Sequence, residues 1–288
     1  MDTIRNPVEW SFDQLKHASH YVAMVGRSLA GDEPQNLTTL PTVNHIDLGD
    51  ITDALRRGFD DFRACRTDVL ALSIVYPAVG LVLWWLTSNY DALPLLFPIT
   101  AGFALLGPVA AIGLYEMSRE REGGKDVSWF DAFGVVRSPA FGSMMTLGAI
   151  LLAVFLLWLA VAHAIYGAFF GPEPPASAAA FMRAVFTTRA GWGMAITGIA
   201  VGFLFAAFVF AISVVSFPML LDRNSGISAA VITSVRTVLT NPVTMAMWGL
   251  VITGCLVAGS IPLLLGLVVA VPVLGHATWH LYRKLVER

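Results

Sequence analysis

From Pro242 to Tyr282 the chain runs 41 residues without an Asp, Glu, Lys or Arg. One crossing of a bilayer's hydrocarbon core takes roughly 20 apolar residues, so this run is long enough for two. Gly259-Ser260-Ile261-Pro262 stands midway and supplies the turn. The C-terminal part therefore reads as a transmembrane hairpin, and lipid is the solvent for the rest. Lipid offers no partner to a bare backbone N–H or C=O, so the fold class that follows is all-α. Composition agrees: 56% of residues are hydrophobic and 13% charged, about half the charged share of a soluble domain.

Six spans are expected, near Val69–Leu86, Ala92–Tyr115, Ser143–Phe169, Trp192–Leu220, Val243–Gly259 and Pro262–Leu281. Residues 1–47 read as a soluble segment and linker, with a peripheral helix over Val8–Leu29, and 48–288 as the membrane domain. Short amphipathic helices are expected near 51–65, 127–138, 177–190 and 226–240, either lying in the headgroup plane or packed on the bundle as ordinary short helices. Their apolar faces read as Ile51, Leu55, Phe59 and Phe62, then Trp129, Phe133 and Val136, then Ile227, Val231, Val235 and Val238. Phe181 and its neighbours supply the remaining one.

Orientation follows from Lys and Arg, which collect on the cytoplasmic side. Numbering the loops with the N-terminus inside puts 16 of the 18 cations inside and leaves only Arg183 and Arg189 outside. Both termini are then cytoplasmic, which in a bacterium means the inner membrane. Three hairpins in one orientation also suggest a pseudo-repeat. Each starts with a short amphipathic helix. Each returns through a helix containing a proline (Pro108, Pro218 or Pro272) and ending in polar residues.

Those endings form the expected polar cluster: Glu116 and Arg119, Asp222 and Arg223, then His276, His280, Tyr282 and Arg283. His276 and His280 are four apart and share a helical face. With a carboxylate from another helix they make a candidate metal pair. The blander reading is a structural belt in which Arg and His meet the last carbonyls of their helices, and a third is a site for an anionic lipid or a small ligand. His163 is a lone intramembrane polar residue, towards the outer end of the third span. No nucleophile elbow, Walker loop or dinucleotide fingerprint occurs, so no enzyme activity and no cofactor is expected, with metal or haem as an alternative. Nothing basic is large enough to track a nucleic acid. Cys65 and Cys255 are expected to stay free thiols.

Longer strings carry a resemblance. They include Ser216-Phe-Pro-Met-Leu-Leu-Asp-Arg223, Asn241-Pro242, Trp248-Gly249 and Val271-Pro-Val-Leu-Gly-His-Ala-Thr-Trp-His-Leu-Tyr-Arg283. Upstream are Ala54-Leu-Arg-Arg-Gly-Phe-Asp-Asp-Phe-Arg63 and Ala101 to Arg119. Together, from about Ile46 to Val286, these resemble a bacterial integral-membrane family catalogued as domain of unknown function 2189. The resemblance implies a polytopic protein without an assigned activity. Its partners would be the lipid bilayer and another membrane protein such as a respiratory oxidase, since some relatives carry a cytochrome c oxidase label. An accessory or scaffolding role is the leading expectation. A small transporter or channel with a polar cytoplasmic mouth is the alternative.

Overall fold

The computed structural model describes residues 40–64, 94–125, 127–223, 225–262 and 264–287. Both the expected Val8–Leu29 helix and the first span, Val69–Leu86, lie outside them, as does Cys65. Among the described residues the protein is all helix, the one β-contact being a bridge between Val43 and Val286.

The chain opens with α1 (Leu48–Ala64). A broken span follows: α2 (Leu96–Phe103), a 3-10 turn at Ala104–Leu106, α3 (Gly107–Ala110) and α4 (Ile112–Glu122). Next come a 3-10 helix (Trp129–Arg137), α5 (Phe141–Phe170) and α6 (Ala178–Thr187). Then follow α7 (Arg189–Ser213), α8 (Ser216–Arg223), α9 (Ile227–Thr240), α10 (Pro242–Ser260) and α11 (Leu267–Leu285).

Four stretches of the described residues are long and apolar enough to cross a membrane: Leu96–Glu122, Phe141–Phe170, Arg189–Arg223 and Pro242–Ser260. Between 22 and 29% of their most apolar windows is buried, so most of that surface is left for lipid. The expected sixth span forms as α11 but does not reach the apolar threshold, because its second half carries His276, Thr278, His280 and Arg283. That half is buried against α1, α4 and α10 instead.

Prolines account for two of the breaks. Proline has no N–H and crowds the carbonyl four residues back. Pro108 follows the 3-10 turn that begins at Ala104, and Pro218 follows a break at Val214–Val215. At the second break the Val215 N–H donates to the Ser234 Oγ on α9 at 3.2 Å. Pro272 lies within α11 and does not interrupt it. Gly171, at φ +83°, ends α5 in a conformation that a side chain disfavours.

Buried side chains gather at one end of the molecule. Met117, Phe217, Leu220, Trp248, Trp279 and Tyr282 are all almost wholly enclosed there. The most extensive helix contact is α1 on α11. Gly58 permits it: a Cβ there would sit 2.5 Å from the Ala277 backbone nitrogen. The α1 stripe is therefore Ile51, Ala54, Gly58, Asp61 and Phe62, and Phe59 stands outside it, 45% exposed.

Two other expected faces shift as well. In the 3-10 helix every third residue aligns, so Ala132 and Val135 are buried while Phe133 and Val136 face outward. On α9 the enclosed residues are Ile227, Ala230, Thr233, Ser234 and Thr237, and the three valines are only partly covered. Small hydroxyl residues allow α9 to lie close to the broken α7–α8 junction, where a valine would keep it away.

Candidate functional site

A capping box starts α1: the Asp47 N–H donates to Asp50 and the Asp50 N–H to Asp47, at 3.0 and 3.1 Å. Just upstream the backbone is stitched to the C-terminus. The Asn44 N–H donates to the Leu285 carbonyl at 2.8 Å, and the Glu287 N–H to that of Thr42 at 3.2 Å. Buried Asn241 accepts from the Ile46 N–H at 3.0 Å and donates to the Asn44 carbonyl at 3.0 Å. These bonds fix the register in which α1 meets α11.

That register carries Asp61 into the packed end, where its side chain keeps 9% of its surface exposed. Arg121 of α4 donates to Oδ1. On Oδ2 the carboxylate accepts from the Ser118 hydroxyl at 2.7 Å and from His280 Nε2 at 2.8 Å. Ser118 has one proton, and it is committed to Asp61. Its 2.8 Å contact with His276 Nδ1 therefore requires the imidazole to donate from Nδ1. The result is a directed chain, His276 to Ser118 to Asp61, with His280 and Arg121 converging on the same carboxylate. Burial pushes the Asp61 carboxyl up, but the bonds from His280 and Ser118 outweigh it and hold the group below its ordinary value.

A second node lies beside the first. Arg283 reaches Glu122 through Nε and Nη2, at 3.2 and 3.1 Å, and Asp222 through Nη1 at 3.0 Å. The Tyr282 hydroxyl donates to Asp222 at 2.8 Å and the Trp279 indole to Glu122 at 3.2 Å. Burial and the Asp222 charge raise the Tyr282 phenol. On the outer side Lys284 bridges Asp50 and Asp53 at 2.8 and 2.9 Å. The bond to Lys284 lowers both carboxyls, and the pair raises Lys284. Glu116, buried beneath Gly134, pairs with Arg119 at 2.6 Å, and Arg119 also donates to the Leu221 carbonyl at 3.2 Å. Arg223 reaches the Glu287 carbonyl.

The structure thus collects the eight residues of the expected polar cluster at one end, divided among three nodes. His163 is elsewhere, on an exposed face of α5. His276 and His280 share a face, but each ring is engaged, one with Ser118 and the other with Asp61. Among the described residues no three His, Cys, Asp or Glu side chains come together as a metal site. Asp61, Ser118, Arg121 and Glu122 were not legible as members of the site. The one available signal was an ionisable residue, Asp61, falling on the stripe of α1 that continues Ile51, Ala54 and Gly58. An open cavity of about 490 Å³ adjoins the first node, lined by Arg57, Asp61, Ser118, Arg121, His280 and Lys284 among others.

Residues 96–222 match a family described as predicted integral membrane protein, DUF2189. Over that stretch, less than half of the chain, the protein is similar to that family. The match contains two of the strings that suggested the family, Ala101–Arg119 and Ser216–Asp222, and the other strings lie outside it. No curated protein and no solved structure matches the chain significantly. The matched stretch supplies Glu116, Ser118, Arg119, Arg121, Glu122 and Asp222. Asp61, His276, His280 and Arg283 come from outside it, so the polar end is completed by α1 and α11 packing onto the matched segment.

Proposed function

We propose that the protein is a non-enzymatic accessory or scaffolding component of the bacterial inner membrane. In this reading it threads six helices with both termini in the cytoplasm. The distribution of Lys and Arg supports that orientation, since α4, α8 and α11 end together in a cation-rich cluster while Arg183 and Arg189 flank the other end of the bundle. A three-hairpin pseudo-repeat is consistent with α4, α8 and α11 each bringing polar residues to that end, with Pro108 just before α4, Pro218 in the first turn of α8 and Pro272 within α11.

The observation that carries the reading is that the carboxylates of the polar end are consumed by partners on other helices. Asp61, Glu122 and Asp222 each hold donors that would otherwise be offered to a substrate. Of the three only Asp61 is buried, and in this reading its pairs fix one arrangement of the helices more than they add net stability. Meanwhile Ile196, Ile199 and Phe203 of α7 and Leu250 of α10 face outward, available to lipid or to another membrane protein. The respiratory oxidase suggested by the family resemblance is the first partner to test.

Cross-linking in native membranes followed by mild solubilisation and mass spectrometry tests the proposal. A partner cross-linked through the α7 or α10 face is expected. A chain recovered alone under every gentle condition contradicts it. A transporter would instead place its mouth at the 490 Å³ cavity, and solute flux abolished by His280→Ala would favour that alternative. A visible absorption band or stoichiometric metal in the purified protein would favour metal or haem binding.

A further inference from the structure

A second open cavity, of about 410 Å³, lies where α4, the 3-10 helix, the Ser138-Pro139 link that leads into α5, and α8 meet. Three arginines line it: Arg119, Arg137 and Arg223. Two are engaged within the chain, Arg119 by Glu116 and the Leu221 carbonyl, Arg223 by the Glu287 carbonyl and, at 3.7 Å, by Asp222. Arg137 is different. It is exposed and forms no ion pair among the described residues. Asp222 also borders the cavity, but its Oδ2 already accepts from Tyr282 and Arg283. Glu116, below Gly134, is matched by Arg119. The charge left over at the cavity is positive.

The surroundings say which anion fits. Three of the candidate spans have an end here, at Glu122, Phe141 and Arg223. Beside Arg137, Phe133 and Val136 turn 54 and 58% of their surface outward. An apolar face next to an unmatched guanidinium, at the end of spanning helices, is the arrangement of a headgroup contact: the apolar residues enter the acyl region and the cation stays at the phosphate level. Arginine's planar fork suits phosphate oxygens. Ser138, whose Oγ accepts from the Ala140 N–H at 3.2 Å, still has its hydroxyl proton to donate. The dipole of the 30-residue α5 begins at the same place, with no side chain capping it.

We propose that this cavity binds the phosphate of an anionic phospholipid, with Arg137 as the principal contact and Arg223 and Ser138 beside it. The leaflet rests on the orientation proposed above, whereas the preference for an anionic headgroup does not. Native mass spectrometry of the full chain, titrated with phosphatidylglycerol or phosphatidylcholine, reads the preference directly. At least one phosphatidylglycerol should bind in clear preference to phosphatidylcholine. One cation near a membrane surface contributes about a five-fold change in binding, so Arg137→Gln should weaken that site about five-fold and Arg137→Lys should restore most of it. Arg183→Gln, in α6, should leave it unchanged. Equal binding of the two lipids, or an Arg137→Gln titration indistinguishable from wild type, overturns the proposal. So does protection by inorganic phosphate that depends on Arg137 while phosphatidylglycerol has no effect, because the source would then be a free anion. None of these outcomes depends on whether a protein partner is found.

Discussion

Removing the Asp61 carboxylate would leave Arg121, Ser118 and His280 with donors and no common acceptor. Breaking a buried pair from one side costs about 3–5 kcal/mol, so Asp61→Ala should lower unfolding stability in detergent by that order. Ser118→Ala removes one link and strands the His276 Nδ1–H. A buried donor without an acceptor costs about 1–3 kcal/mol, so a smaller loss is expected. His163→Ala, on the exposed face of α5, should stay within about 0.5 kcal/mol of wild type. Denaturant titration followed by tryptophan fluorescence ranks all three, and an unchanged Asp61→Ala would remove the node from the account. Glu116, Asp222, His280 and Arg283 were readable as polar endings of apolar helices. Their partners were not, because Ser118 and Arg121 resemble any surface residue of a helix end until α1 closes over them.

At the scale of an element, α1 shows how a helical pattern can name the wrong face. Phe59 is the larger hydrophobe, yet Gly58 faces α11, because close approach of two backbones needs the absence of a side chain there. Gly58→Leu should therefore disrupt the contact more than Phe59→Ala. Limited proteolysis between residues 40 and 64 would show it as faster cleavage in the glycine variant. The same contact sets a pH window. Asp50, Asp53 and Asp61 are held below the ordinary 3.8. Their contribution is present above that value and is lost as pH falls through the lowered folded values. Lys284 is raised above 10.5, so its contribution is present below 10.5 and is lost as pH climbs through the raised value. Protection of α1 in a proteolysis series should be lost outside those limits, below pH 3.8 and above pH 10.5. Protection undiminished well below pH 3.8 would contradict the assignment. The partly exposed Lys284 pairs contribute little, about 0–1 kcal/mol, so the acid limb belongs mainly to Asp61.

Over the whole molecule, long charge-free runs were the most legible feature. The sequence predicts Ser143–Phe169 where the helix is Phe141–Phe170, and Val243–Gly259 where it is Pro242–Ser260. Spanning segments announce themselves because lipid leaves the backbone no choice but a helix. α11 departs from that rule because it ends inside a polar, packed layer, where burial comes from other helices and not from lipid. In the proposed orientation the two ends of α5 lie on opposite sides of the bilayer, with the polar end on the cytoplasmic side. Lys125→Cys and Arg183→Cys, each in a chain with Cys65 and Cys255 replaced by serine, place one thiol on either side. Labelling with a membrane-impermeant maleimide in right-side-out and inverted vesicles is the most direct test. The prediction is that the thiol at 125 reacts only in inverted vesicles and the thiol at 183 only in right-side-out ones. Reaction of both from the same side would contradict the account.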